Sequence, residues 1–226
     1  MYSPKLSKRL LAAADFVRPS SFIADIGSDH AYLPIYLSTL GKIRGAVASD
    51  INEGPVARAK INVASAHLQR KIATVLTDGL SGIDAYAPDD IFICGMGGEL
   101  IASIIGAAPW TKDKKIRLIL QPMTHAEKLR DFLNSEGFSI IGEKIVKEDK
   151  LYTVICAEYS GNTEEYSKIE LIFGKHIHKK KTPEFIEYAE YVKRVYQTKK
   201  QGKASAGADV SEEEYYISEI EKLLAN

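Results

Sequence analysis

Residues 25–34 read Asp-Ile-Gly-Ser-Asp-His-Ala-Tyr-Leu-Pro. They close a short apolar run, residues 22–26, and lead into a helical pattern over 33–40. A buried strand that ends in an acid and a glycine and feeds a helix is the first unit of a parallel α/β sheet. Working outward, further strands are expected at 44–49, 74–77, 91–94 and 116–121, each apolar and bounded by Gly, Asp or Pro. Helices are expected at 55–69, with Pro55 at the first position, at 99–107, and at 126–136, where Gly137 supplies the cap. Repeated strand-then-helix units imply a doubly wound sheet.

Residues 139–146 and 152–158 break the alternation. Lys-Glu-Asp-Lys between them is too short for a crossover helix, so they form an antiparallel hairpin. Five parallel strands followed by such a hairpin resemble the class I methyltransferase version of the Rossmann fold. Ser160, Gly161 and Asn162 then mark a boundary between a sheet domain, 1–159, and a helical extension, 160–226. The extension carries two amphipathic patterns. Residues 183–200 place Ile186, Ala189, Val192 and Tyr196 on one stripe, and 211–224 place Ile217, Ile220 and Leu224. The small residues of 201–208 join them as a coiled-coil-like antiparallel hairpin.

The chain has 226 residues, with 30 basic and 30 acidic side chains. Zero net charge argues against indiscriminate binding of nucleic acid. The average hides two opposed patches: 168–203 holds ten Lys/Arg against four Asp/Glu, and 204–226 holds one against six. The N-terminus lacks the apolar segment of a secretory signal, and no apolar run approaches the roughly 20 residues of a membrane helix. Cys94 and Cys156 alone supply neither a disulfide framework nor a zinc site. A cytoplasmic protein without a metal is expected.

The chemistry gathers at the strand ends, where the ligand crevice of this fold lies. Gly27 lets backbone approach a ligand, but Asp29 and Ala31 stand where a GxGxxG loop needs glycines to seat a pyrophosphate. Asp25 stands two residues before Gly27, as in the D/E-x-G motif of methyltransferases. S-adenosylmethionine carries an ammonium and a sulfonium and no phosphate, so acids suit it. Asp50 lies 23 residues after Gly27, where a carboxylate accepts ribose hydroxyls, with Ile51 beside it. Asp78 is placed to accept from an adenine amine, with Gly79 making room, although an Asp-Gly turn alone explains it as well. The next strand ends in Gly95, Met96, Gly97 and Gly98, backbone able to pass close to a flat base. Gln121 and Pro122 share that rim as substrate contacts.

The segments DIGSDHAYLP, ASDIN, TDGL, CGMGGE and LQPM, with the N-terminal LSKRL and the helical tail, resemble the bacterial tRNA (adenine(22)-N1)-methyltransferases over essentially the whole chain. The resemblance implies methyl transfer from S-adenosylmethionine to N1 of a tRNA adenine, with the helical extension helping to hold tRNA. Adenine N1 has an in-plane lone pair, so alignment is the main demand and no metal or nucleophilic residue is required. Asp29 is the candidate to stabilise the charged product, with His30 and Tyr32 shaping the pocket. LSKRL puts Lys5, Lys8 and Arg9 on a helix, and Arg9 is a candidate cofactor contact. In the extension, Lys179, Lys180, Lys181, Lys193 and Arg194 are candidate phosphate contacts. A monomer is expected. On the residues alone, a methyltransferase acting on another RNA site or a small molecule, and a non-catalytic RNA-binding protein, stay open; an NAD-dependent oxidoreductase is disfavoured by the missing phosphate loop.

Overall fold

The computed structural model describes residues 4–175, 177 and 181–225. The chain divides into two compact units, Met1–Glu164 and Glu165–Asn226. In the first, helix α1 (Lys8–Ala14) precedes β1 (Ser21–Ile26), α2 (Tyr32–Thr39), β2 (Ile43–Asp50), α3 (Glu53–Ser65) and β3 (Ile72–Leu76). Then come β4 (Asp90–Gly97), α4 (Gly98–Gly106), β5 (Arg117–Thr124), α5 (Ala126–Ser135), β6 (Phe138–Lys147) and β7 (Leu151–Tyr159). These strands form one sheet in the order β3-β2-β1-β4-β5-β7-β6. Strands β1 to β5 pair in parallel, and β7 inserts antiparallel between β5 and β6. Two apolar clusters cover the two faces, one around Ile23, Phe92 and Ile119 and the other around Ala24, Ile91 and Leu118. Neighbouring residues of a strand point to opposite faces, so this sheet is buried on both sides and its parallel strands read as unbroken apolar runs.

Several expected boundaries move for identifiable reasons. Lys5 lies outside α1, because the Ser7 side chain caps the helix by accepting from Leu10 N. Helix α3 starts at Glu53, which makes Pro55 its third residue, where a backbone N–H would still lack a helical partner. The same helix ends at Ser65 rather than Gln69, since His67 adopts a positive φ and Leu68 N turns back to Val63 O. Strand β3 begins two residues earlier than expected, at Ile72. Strand β4 runs through Gly97 instead of stopping at Cys94, pairing Met96 with Pro122 and Gly97 with Thr124 across two irregularities of register. Gly137 caps α5 with φ +81°. Between α5 and β6, Arg130 Nε donates to Glu143 at 2.7 Å with both side chains fully buried.

The second unit contains α6 (Lys168–Phe173), α7 (Pro183–Ser205) and α8 (Ser211–Ala225). Helix α6 was not expected. It is six residues long, starts on a capping box between Ser167 and Glu170, and buries Phe173 edge-on against Phe185. Helix α7 continues through Gly202 to Ser205, so more than half of the expected linker, 201–208, is helical. Its buried stripe is Phe185, Ala189 and Val192, while Ile186 is exposed. Lys203 pairs with Glu213 at 2.7 Å, Lys200 with Glu214 at 2.8 Å, and Tyr196 stacks on Tyr216. Rising numbers on one helix meet falling numbers on the other, which fixes the hairpin as antiparallel.

Candidate functional site

The carboxyl ends of β1, β2 and β3 carry one acid each. Asp25, the penultimate residue of β1, is 7% exposed and accepts a hydrogen bond from the Ser28 hydroxyl. Burial raises its carboxyl to about 7, with the Ser28 bond pulling the other way. Asp50 closes β2 and accepts from Asn52 N at 2.9 Å and Asn52 Nδ2 at 3.3 Å. Asp78 is exposed in the turn after β3, beside Gly79 with φ +52°. The register sets Asp50 opposite Leu76, and both Ile51 and Leu76 are at least half exposed. Acceptors next to bare apolar surface suit a nucleoside, whose ribose needs hydrogen bonds and whose ring needs packing. Leu76 was not anticipated.

The ends of β4 and β5 have a different character. Gly95 takes φ +83°, and a Cβ there would lie 3.2 Å from Arg9 Nη1. A Cβ on Gly27, itself at φ +71°, would collide with the Met96 side chain, so Met96 lies directly over the first glycine. Gly97 is the N-cap of α4. Gly98 is required by packing, because a Cβ there would overlap the backbone carbonyl of His125. Arg9 Nη1 donates to Gln121 Oε1 at 2.8 Å, and its guanidinium lies 3.9 Å from Glu148 and over the Tyr152 ring. Gln121 is fully buried and donates to the Pro122 carbonyl at 3.0 Å; Pro122 is buried too. Burial and the nearby Asp25 push the Cys94 thiol well above its usual range, with Arg9 opposing. That thiol stays protonated and is no nucleophile.

The loop from Ser28 to Ala31 is held from α3, a connection that went unread in the sequence. Arg58 donates to Asp29 Oδ1 through Nη2 and, at 3.2 Å, through Nε. Asn62, one turn further along, donates to the His30 carbonyl at 3.0 Å. His30 Nε2 lies 3.2 Å from Asp29 Oδ2, and the His30 ring stacks on Tyr32 with centroids 4.8 Å apart. Ala31 enters α2 with φ 54°.

In the helical unit, Lys193 pairs with Glu190 at 3.1 Å, whereas Arg194 is exposed with no ion pair among the described residues. Lys181 is half-buried at the start of the α7 segment; Lys179 and Lys180 lie outside the described residues. Among the described residues no helix is long and apolar enough to cross a membrane, and no cluster of three His, Cys, Asp or Glu is placed to hold a metal ion.

A tRNA (adenine(22)-N(1))-methyltransferase of Bacillus subtilis (strain 168) is 43% identical over 171 residues, covering 75% of this chain and 72% of that protein. The structure of the B. subtilis M1A22 tRNA methyltransferase TrmK matches with a TM-score of 0.83 at 34% identity, covering 98% of this chain and 96% of that one. That of M. capricolum TrmK, in complex with the cofactor product S-adenosyl-homocysteine, matches with a TM-score of 0.84 at 29% identity, covering 97% and 98%. The family model described as tRNA (adenine(22)-N(1))-methyltransferase matches residues 23–223. The chain therefore belongs to the tRNA (adenine(22)-N(1))-methyltransferase family.

Proposed function

We propose that this chain transfers the methyl group of S-adenosylmethionine to N1 of adenine 22 in tRNA. The observation that carries the reading is the row of three carboxylates at the ends of β1, β2 and β3, set beside a glycine-rich β4 end whose nearest acid in sequence, Glu99, belongs to the first turn of α4. The residues fit the cofactor. Asp25 lies near the end of β1, which pairs with β4, and Arg9 reaches the ends of β4 and β5, beside Gly95 and bonded to Gln121. Opposite charges so placed match the ammonium and carboxylate of an amino-acid end. Asp50 with Ile51 would take the ribose, and Asp78 with Gly79 the adenine. Gly27, Gly95, Met96 and Gly97 would form the floor between cofactor and base, with Gly98 behind them serving the packing of α4.

When bound, the cofactor supplies a methyl group on a sulfonium. The chain's own residues supply binding and alignment. Asp25 and the Gln121-held guanidinium of Arg9 would together hold the amino-acid end, the first taking its ammonium and the second its carboxylate. Adenine N1 needs no general base, because its lone pair already lies in the ring plane. It does need exposure, since N1 sits on the Watson–Crick edge and is hidden in paired RNA. Asp29, His30 and Tyr32 stand beside the groove, and Gln121 and Pro122 shape its far rim.

Residues 160–226 form the tRNA-holding extension in this reading. Arg194, together with Lys179, Lys180, Lys181 and Lys193, supplies phosphate contacts, and Arg194 is the cation best able to exchange bulk counterions for phosphate. The protein works as a cytoplasmic monomer. The test is incubation with labelled S-adenosylmethionine and unmodified tRNA, followed by nucleoside analysis. N1-methyladenosine is the expected product. A different methylated nucleoside would keep the enzyme class and sink the site assignment.

A further inference from the structure

We propose that Arg58, Asp29 and His30 form a positioning chain that presents His30 Nδ1 as the acceptor for the exocyclic amine of the target adenine. The inference rests on the methyl-transfer reading above and reassigns Asp29 from a product contact to a support.

Both Asp29 oxygens are already engaged, Oδ1 by Arg58 and Oδ2 by His30 Nε2. A carboxylate only accepts hydrogen bonds, so in neutral His30 the proton sits on Nε2 and Nδ1 keeps its lone pair. One further contact bears on the ring itself and two hold its supports. Tyr32 stacks on it at an interplanar angle of 16°, Asn62 holds its backbone carbonyl, and Arg58 holds the carboxylate that holds Nε2. Arg58 and Asn62 are four residues apart on α3 and so share one face of that helix. At the rim positions Gly95, Met96, Gly97 and Gln121 of β4 and β5, no side chain offers a free acceptor. Gly95, Met96 and Gly97 have no strong side-chain acceptor, and Gln121 Oε1 is taken by Arg9.

The chemistry gives such an acceptor leverage. Adenine N1 bonds to the methyl carbon as the carbon–sulfur bond breaks and its electron pair goes to sulfur. Positive charge passes to the base, and no proton has to leave. The amine N–H becomes more acidic as that charge arrives, so a hydrogen bond to His30 Nδ1 strengthens towards the transition state and lowers the barrier.

The experiment compares tRNA carrying adenine at position 22 with tRNA carrying purine there, which keeps N1 and lacks the amine. Wild-type enzyme must first give N1-methyladenosine on the adenine substrate; failure at that step refutes the general reading and is told apart from failure of this one. The lower basicity of purine N1 affects every enzyme variant equally, so it cancels in a ratio of ratios. Wild type should favour adenine over purine by about tenfold or more beyond the preference of His30→Ala, as for loss of a charge-assisted hydrogen bond. His30→Phe keeps a ring to stack on Tyr32 without an acceptor and should behave like His30→Ala. S-adenosylhomocysteine binding, measured on each variant, reports that the groove is intact. Arg58→Ala should lower kcat several-fold with KM for tRNA unchanged, and Arg58→Lys should recover part of the loss. Equal adenine-to-purine preferences in wild type and in the His30 variants that bind S-adenosylhomocysteine would overturn the proposal. An Arg58→Ala enzyme with unchanged kcat would remove Arg58 from the chain.

Discussion

The two halves of the strand-end rim differ in kind. On β1 to β3 every strand end bears a carboxylate, and bare apolar side chains, Ile51 and Leu76, stand between them. The ends of β4 and β5 carry Gly95, Met96, Gly97, Gln121 and Pro122, with one guanidinium brought in from α1, and the nearest acid in sequence, Glu99, belongs to the first turn of α4. In the proposed reading the first half takes the cationic nucleoside and the second the neutral, flat base. On that reading one sheet separates donor from acceptor by the charge of its strand ends; Met96 packed over Gly27 is where the halves meet.

The sharpest way to break the comparison is to remove an acid. Asp50→Leu should weaken S-adenosylhomocysteine binding by about 100-fold, the loss of two charge-assisted hydrogen bonds, and leave tRNA affinity unchanged. Calorimetry and a tRNA-binding titration on the same preparation decide it. The next effect is a pH dependence. The free Asp25 carboxyl sits at about 7 because it is buried. Below that value it is protonated and offers no charge to an ammonium. Cofactor affinity should therefore fall as the pH drops through 7, approaching roughly tenfold per unit, and Asp25→Asn should flatten the profile. An affinity that stays constant between about pH 6 and 8 would refute the ammonium contact.

A smaller effect is expected on the neutral side. Gln121→Leu leaves Arg9 without its 2.8 Å acceptor, and cofactor affinity should fall by about tenfold or less. Smallest of all is Arg194→Ala in the helical unit. It should raise KM for tRNA a few-fold, reduce the salt dependence of binding by about one ion, and change neither half of the rim.

The sequence exposed the acidic half more fully than its surroundings. Asp25, Asp50 and Asp78 are legible because each closes a short apolar run, and strand ends of a parallel sheet line the crevice. The terminal hairpin is legible because four residues cannot cross over. Arg58 was hidden: its partner Asp29 is 29 residues away, and nothing local marks one arginine on an amphipathic helix as facing a loop. Gly98 read as ligand-facing, yet its missing Cβ answers to the His125 carbonyl, a contact between two helix starts that no spacing reveals. Helix α6 escaped because its six residues complete fewer than two turns. The α7 stripe slipped by one position, from Ile186 to Phe185, since two adjacent apolar residues fit the helical period equally well.

The proposed reading has the neutral half of the rim receive one adenine of tRNA. It is tested most directly by replacing adenine 22 with guanine in an otherwise unchanged tRNA and measuring methyl incorporation from labelled S-adenosylmethionine. Incorporation should drop to background while S-adenosylhomocysteine binding stays the same. Methylation at the level of the unmodified tRNA would contradict the account.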